Sequence, residues 1–320
     1  VAGVINVILN KNLEGVRWQA DVYQSGEGDG TSRHISAAGG TELFGGRGHL
    51  IIGGEYEDAE GVDSCVFSRD WCRDLPGIVT NPDNRVNGLP RNIITNDVRL
   101  GNMTSAGMIS GANLAGATPA GTPLNAAGFA ASRVYGIQFD DVGNPLPFAF
   151  GVPVNQTFHT GGDGFSRYET TNPRTPVERA SLFTHLRYDL AGDTTLFFET
   201  SFGYAYGSNL GAARWFNGPQ AITIQRRNPY IPASIAALMD GGPGTADDYV
   251  SIRLGKHWDD WGRVESRSKN RVSRLVVGAE GDINDRWSWD TYYQIAYNAR
   301  HQQLLRQPIN NNFTRALDVV

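Results

Sequence analysis

The feature that most constrains this chain is a two-residue alternation of apolar and polar side chains, sustained over segments of about ten residues. In the first such segment Val16, Trp18, Ala20 and Val22 share one face, and Arg17, Gln19, Asp21 and Tyr23 the other. Further on, Leu50, Ile52, Gly54 and Tyr56 oppose His49, Gly53 and Glu55, with Ile51 interrupting the polar side. Leu182, Thr184, Leu186, Tyr188 and Leu190 oppose Ser181, His185, Arg187 and Asp189. The longest case sets Leu196, Phe198, Thr200, Phe202, Tyr204 and Tyr206 against Thr195, Glu199, Ser201, Gly203 and Ala205. The last sets Trp289, Thr291, Tyr293, Ile295 and Tyr297 against Ser288, Asp290, Gln294, Asn298 and Arg300. A period of two belongs to strands whose faces meet different surroundings. Seven strands are predicted, near 16–24, 33–42, 48–57, 180–190, 194–207, 271–283 and 287–300.

The connections narrow the choice further. Leu43–Arg47, Ala191–Asp193 and Asn284–Arg286 are short and carry Gly, Asn or Asp, the chemistry of tight hairpin turns. The stretches 58–178 and 208–270 are long and rich in Gly, Pro, Asn and Asp. In a meander, alternate connections fall at opposite ends of the sheet. Tight turns at one end and long loops at the other are the asymmetry of an outer-membrane β-barrel. A soluble sandwich also alternates, but its strands run nearer five or six residues. The tyrosines and tryptophans at 188, 204, 206, 289, 293 and 297 gather toward strand ends, as girdle residues at a membrane surface would. The expected fold is therefore all-β: part of a transmembrane antiparallel β-barrel. Seven strands cannot close an even-numbered barrel, so the chain is expected to be an internal portion of something larger.

Composition excludes several alternatives. No run approaches the roughly 18 apolar residues of a membrane helix. The net charge of −5 gives no basic footprint, so no nucleic-acid partner is expected. The chain carries no Gly-x-Ser-x-Gly, Walker or His-Glu-x-x-His pattern, and its six histidines lack ligand spacing; no enzyme, metal or cofactor is expected. Asp140–Asn144 reads as a hairpin turn more simply than as half a calcium loop. Cys65 and Cys72 are the only cysteines. In an oxidising compartment they would close a small disulfide loop; free thiols or half of a metal site are the alternatives, without a neighbouring His or zinc-type spacing to support the latter.

The N-terminal run Val1–Lys11 is too apolar on both faces for a strand with one lipid-facing side, and reads as a short strand buried on both sides. The sequence AGVINVILNKNLEG resembles the end of the plug domain of TonB-dependent outer-membrane receptors, where it leads into the first barrel strand. Arg227-Asn-Pro-Tyr-Ile-Pro232, Trp287–Tyr293 and Asn310–Asp318 also resemble phrases of that family. The resemblance implies a plug end at 1–14 and barrel from 15 to 320, with extracellular loops at about 58–178 and 208–270. It implies outer-membrane lipid as surroundings and the TonB–ExbB–ExbD complex as energy source, coupled through N-terminal parts that this sequence does not include. The implied function is import of a scarce solute, a ferric siderophore, a cobalamin or an oligosaccharide, into the periplasm. Ligand contacts would come from the loops, where Trp71, Trp215, Tyr230, Trp258 and Trp261 suit sugar faces or aromatic chelators and Arg73, Arg214, Arg226 and Arg227 suit carboxylates. Arg187, Glu199, Arg274, Glu280 and Asp282 would line the lumen against the plug. A passive porin is the nearest rival, separated by Val4–Leu9; a soluble secreted β-rich binding protein is the other.

Overall fold

A computed structural model describes residues 10–84, 86–114, 133–155, 157–190, 193–240 and 249–319. The plug-exit run Val1–Leu9 therefore lies outside the described residues, as do Ala191, Gly192 and the acidic pair Asp247–Asp248. The chain divides into two compact units, the described residues of Val1–Val62, Pro173–Asn209 and Ser266–Gln303, and those of Asp63–Asn172, Leu210–Glu265 and Leu304–Val320.

The first unit is built on one sheet of seven strands in chain order. They are β1 (Gly15–Tyr23), β2 (Ser32–Leu43), β3 (Gly48–Ala59), β4 (Val177–Asp189), β5 (Thr194–Ala213), β6 (Arg263–Asn284) and β7 (Trp287–Leu305). All seven alternating segments are strands. Among the described residues the sheet does not close on itself.

Register shows what the alternation achieves. Trp18 lies opposite Ala37, Ala37 opposite Gly54, Gly54 opposite Leu182 and Leu182 opposite Phe202. Directly opposed residues share a face. The apolar sets of β1, β3, β4 and β5 thus fall on one continuous side, crossing β2 through Gly39, Ala37 and Ile35. On that side Val16 is 77% exposed and Trp18 75%. The opposite side carries the ion pairs Arg179–Glu57 at 2.6 Å and Arg274–Glu199 at 3.2 Å, and the histidine contacts His34–Asp21 at 3.1 Å and His185–Glu199 at 3.2 Å. Glu199, Arg274, Glu280 and Asp282 share one recess there, of about 670 Å³. The turn between β2 and β3 needs three successive positive φ values, at Phe44 (57°), Gly45 (68°) and Gly46 (88°). Glycine takes two of them without strain, and Phe44 is held by an edge-to-face contact with Tyr188, 5.3 Å between centroids.

The loop boundaries expected from sequence are corrected. β5 continues through Ala213 and β6 begins at Arg263, so 208–213 and 263–270 belong to strands. Glu265–Asn270 is polar on both faces, so hydropathy stops alternating while the backbone ladder continues. The long connections are also structured. They hold a six-stranded sheet that includes Met108–Leu114, Ile222–Gln225 and Tyr249–His257, a three-stranded sheet, and a hairpin of Gly77–Thr80 with Asn92–Thr95. Ile109, Ala112, Val134, Ile235, Met239, Tyr249 and Ile252 form its core. Short helices at Cys65–Ser68, Ala233–Met239 and Asn310–Leu317 interrupt the otherwise β architecture.

Candidate functional site

Within the second unit, an aromatic cluster organises an open cavity of about 610 Å³. Its foundation is local. A 3-10 turn at Asp259–Trp261 brings Trp258 and Trp261 into a stack, 4.8 Å between centroids. The two-residue strand Trp215–Phe216 pairs with Lys256–His257 and sets Phe216 edge-on against Trp258 at 5.4 Å. Phe313 completes the cluster, stacked on Phe216 at 5.0 Å and edge-on to Trp258 at 5.4 Å. It belongs to the helix Asn310–Leu317, whose far end is tied down where Arg227 donates to Asp318 (3.0 Å) and the Asn228 amide to the Leu317 carbonyl (3.2 Å).

One face of that helix, Asn310, Phe313, Thr314 and Leu317, lines the cavity. The spacing of three, four and seven is that of a single helical stripe. Facing it are Arg214, Phe216 and Gln220, with Ile222, Thr223 and Gln225 from the strand Ile222–Gln225. The Arg214 guanidinium lies over the Phe216 ring at 4.8 Å, and its Nε is buried without a hydrogen-bond partner.

The residues expected to touch ligand are distributed unevenly. Arg214 and Arg227 line the cavity, while Trp258 and Trp261 support it from beneath. Arg226 is ion-paired with Asp240 and borders a separate recess with Gln225, Arg227 and Val250. Trp215, next to Phe216, is not among the cavity's lining residues. Tyr230 is 81% exposed and also outside it. Trp71 and Arg73 lie elsewhere in the unit, Trp71 inside the loop closed by the Cys65–Cys72 disulfide and Arg73 just after it, paired with Asp70 at 3.1 Å. Sequence reasoning did not single out Phe313 or its helix as a wall. The 310, 313, 314, 317 stripe was the available signal, masked by the polar run Asn310–Asn312.

Three ionisable groups in this unit are perturbed by burial: the Tyr135 phenol, which it raises, His257 and Glu169. His257 stacks on Phe165 at 3.7 Å, and burial holds its imidazole below the ordinary range against the opposing pull of Asp259. Burial raises the Glu169 carboxyl, which Arg99 partly offsets. Asp63 is lowered chiefly by its hydrogen bond from Arg263, whose guanidinium also donates to Asn172 and to the carbonyls of Thr170, Leu210 and Gly211. The Asp140 carboxyl is lowered by the Asn144 amide, and it caps the hairpin between Ile137–Phe139 and Pro145–Pro147. Among the described residues no cluster of His, Cys, Asp and Glu is arranged to hold a metal ion.

No known protein family, curated protein or solved structure matches the chain. Its function rests on the geometry of these two units.

Proposed function

We propose that the chain is a portion of a TonB-dependent outer-membrane receptor. It comprises the end of the plug and the first barrel strands, and takes part in importing a scarce solute to the periplasm with energy delivered through the TonB–ExbB–ExbD complex. The carrying observation is the two-faced sheet: one continuous apolar side exposing Val16, Trp18, Val22, Tyr293 and Tyr297, and one ion-paired side. In water such an apolar side is a liability. Against acyl chains it is what a barrel wall requires. The connections add support, because β2–β3 and β6–β7 are joined by short turns whereas β3–β4 and β5–β6 are joined through folded segments. In this reading the folded segments belong to the extracellular side and the cavity beside Arg214 is where solute is first held. The ion-paired face is the lumen, available to the plug.

The test is to fold residues 1–320 with and without detergent micelles, following size and thermal melting. A monodisperse, cooperatively melting species is expected only with micelles. The same species in plain buffer would overturn the membrane reading in favour of a soluble secreted β-protein.

A further inference from the structure

We infer that the cavity between the helix Asn310–Leu317 and the strand Ile222–Gln225 binds a saccharide bearing a carboxylate, such as an oligomer of uronic acid. The inference deepens the receptor reading, on which it rests for the side from which the ligand arrives.

Charge selects the carboxylate. Of the charged groups lining the cavity, Arg227 is neutralised by Asp318, and Arg214 has no carboxylate partner among the described residues. Its Nε is already withdrawn from water without a hydrogen-bond partner. A planar guanidinium, steadied over the Phe216 ring, meets a carboxylate through two parallel hydrogen bonds. A single unpaired cation suits one carboxylate better than a dianionic phosphate.

The remaining polar wall selects the polyol. Gln220, Gln225 and Asn310 contribute side-chain amides, and Thr223 and Thr314 contribute hydroxyls. The three amides and the Thr223 hydroxyl can both donate and accept, as each sugar hydroxyl does, while the Thr314 hydroxyl, which donates to the Asn310 carbonyl at 3.0 Å, is left to accept. The three amides have no hydrogen-bond partner among the described residues. A fatty or aromatic carboxylate would leave them unmatched, which is costly for a binding site. Phe216, Ile222, Phe313 and Leu317 provide the apolar surface on which the C–H face of a pyranose can lie. The volume of about 610 Å³ falls within the span of small-molecule sites.

The test measures binding of trigalacturonate, and of the neutral α-1,4-linked galactotriose, to the folded 1–320 chain by calorimetry. Saturable binding of trigalacturonate is expected, with the neutral trisaccharide at least tenfold weaker. Arg214→Gln should remove that preference. Because Arg214 also packs on Phe216, a second variant at an exposed position guards against misfolding. Gln220→Glu removes an amide donor for either sugar but repels only the carboxylate, so it should weaken trigalacturonate at least tenfold more than it weakens the neutral sugar. Absence of saturable trigalacturonate binding overturns the inference, as does equal affinity for both sugars or indifference to Gln220→Glu. These outcomes separate from failure of the receptor reading. A chain that needs micelles yet ignores the sugar keeps the receptor and loses the ligand. A chain that folds in plain buffer and binds the sugar loses the receptor and keeps the site.

Discussion

In the sheet unit Val16, Trp18 and Val22 stand 77%, 75% and 77% exposed, while in the second unit Met103, Met108, Ile109 and Met239 are fully buried. The same kinds of side chain serve opposite ends. Among the described residues the sheet unit buries few apolar groups, chiefly Leu13, Ile51, Ala59, Val62 and Val276. The second unit has cores of its own, around Ile109 and around Trp258. One region has little apolar core and is held chiefly by its backbone ladder. The other is organised like a water-soluble domain. The difference teaches that the long connections fold by a separate logic from the strands that carry them.

The strongest challenge to that separation is Trp258→Ala. Trp258 is buried and touches Phe216, Trp261 and Phe313, so its loss should cost about 3–5 kcal/mol. Hydrogen exchange in micelles should show the cost at amides of Ile222–Gln225 and Tyr249–His257 and leave those of β1 and β2 unchanged. Equal acceleration in both units would mean that they unfold together.

A matched pair in β4 probes the sheet unit. Leu182 lies on the apolar side opposite Phe202, and Ser181 on the polar side opposite Glu55 and Gly203. In lipid, Leu182→Arg should cost about 2–4 kcal/mol if it sits near the bilayer midplane, whereas Ser181→Arg should be nearly neutral. Urea titrations of the lipid-folded protein measure both. Equal costs would remove the two-sided assignment.

Next in size is the Cys65–Cys72 disulfide, which closes a short loop in the second unit. Replacing both cysteines with serine should destabilise that unit by about 2–3 kcal/mol on chain-entropy grounds. Exchange at Cys65–Leu75 should rise while the sheet stays protected. Protection unchanged at those residues would show that Arg263, through Asp63, Thr170 and Asn172, holds the loop without the bond.

These contrasts also explain how much could be read in advance. Every strand of the sheet was legible, because alternation records two environments residue by residue and register then places Trp18, Leu182 and Phe202 on one side. The strand ends were not. Glu265–Asn270 is polar on both faces, and only backbone hydrogen bonding identifies it as strand. The cavity was half legible. Arg214, Arg227, Trp258 and Trp261 stand out by type, but their grouping depends on Phe313, which approaches Phe216 from nearly a hundred residues along the chain. Nothing in local sequence encodes that meeting. Tyr230 and Trp71 have the same chemistry as the clustered aromatics and remain outside the cavity, so residue type alone did not separate them.

The smallest expected effect, and the most selective, is pH. His257 is buried against Phe165 and held below the ordinary imidazole range, so between its native value and about 6.5 the unfolded chain binds the proton that the folded one refuses. Stability from this source is complete above about 6.5 and is lost as pH falls toward the native value. Glu169 acts with the opposite sign. Its carboxyl is raised, so its contribution is complete below about 4.3 and is lost as pH rises through the native value. On acidification the two oppose each other. Asp63, lowered by Arg263, adds a further loss only in stronger acid. The histidine's share should make melting of the second unit weaken as pH falls below about 6.5. The decline should flatten in His257→Phe, where Phe165 still finds a ring to stack on, and steepen in Glu169→Gln. Lys256 and Asp259 face the histidine with opposite charges, and Asp259→Asn should extend the decline to still lower pH, its onset staying near about 6.5, by removing the carboxylate that favours the protonated ring. A pH profile identical in wild type and His257→Phe would place the sensitivity elsewhere and leave the buried imidazole without influence on the stability of the unit.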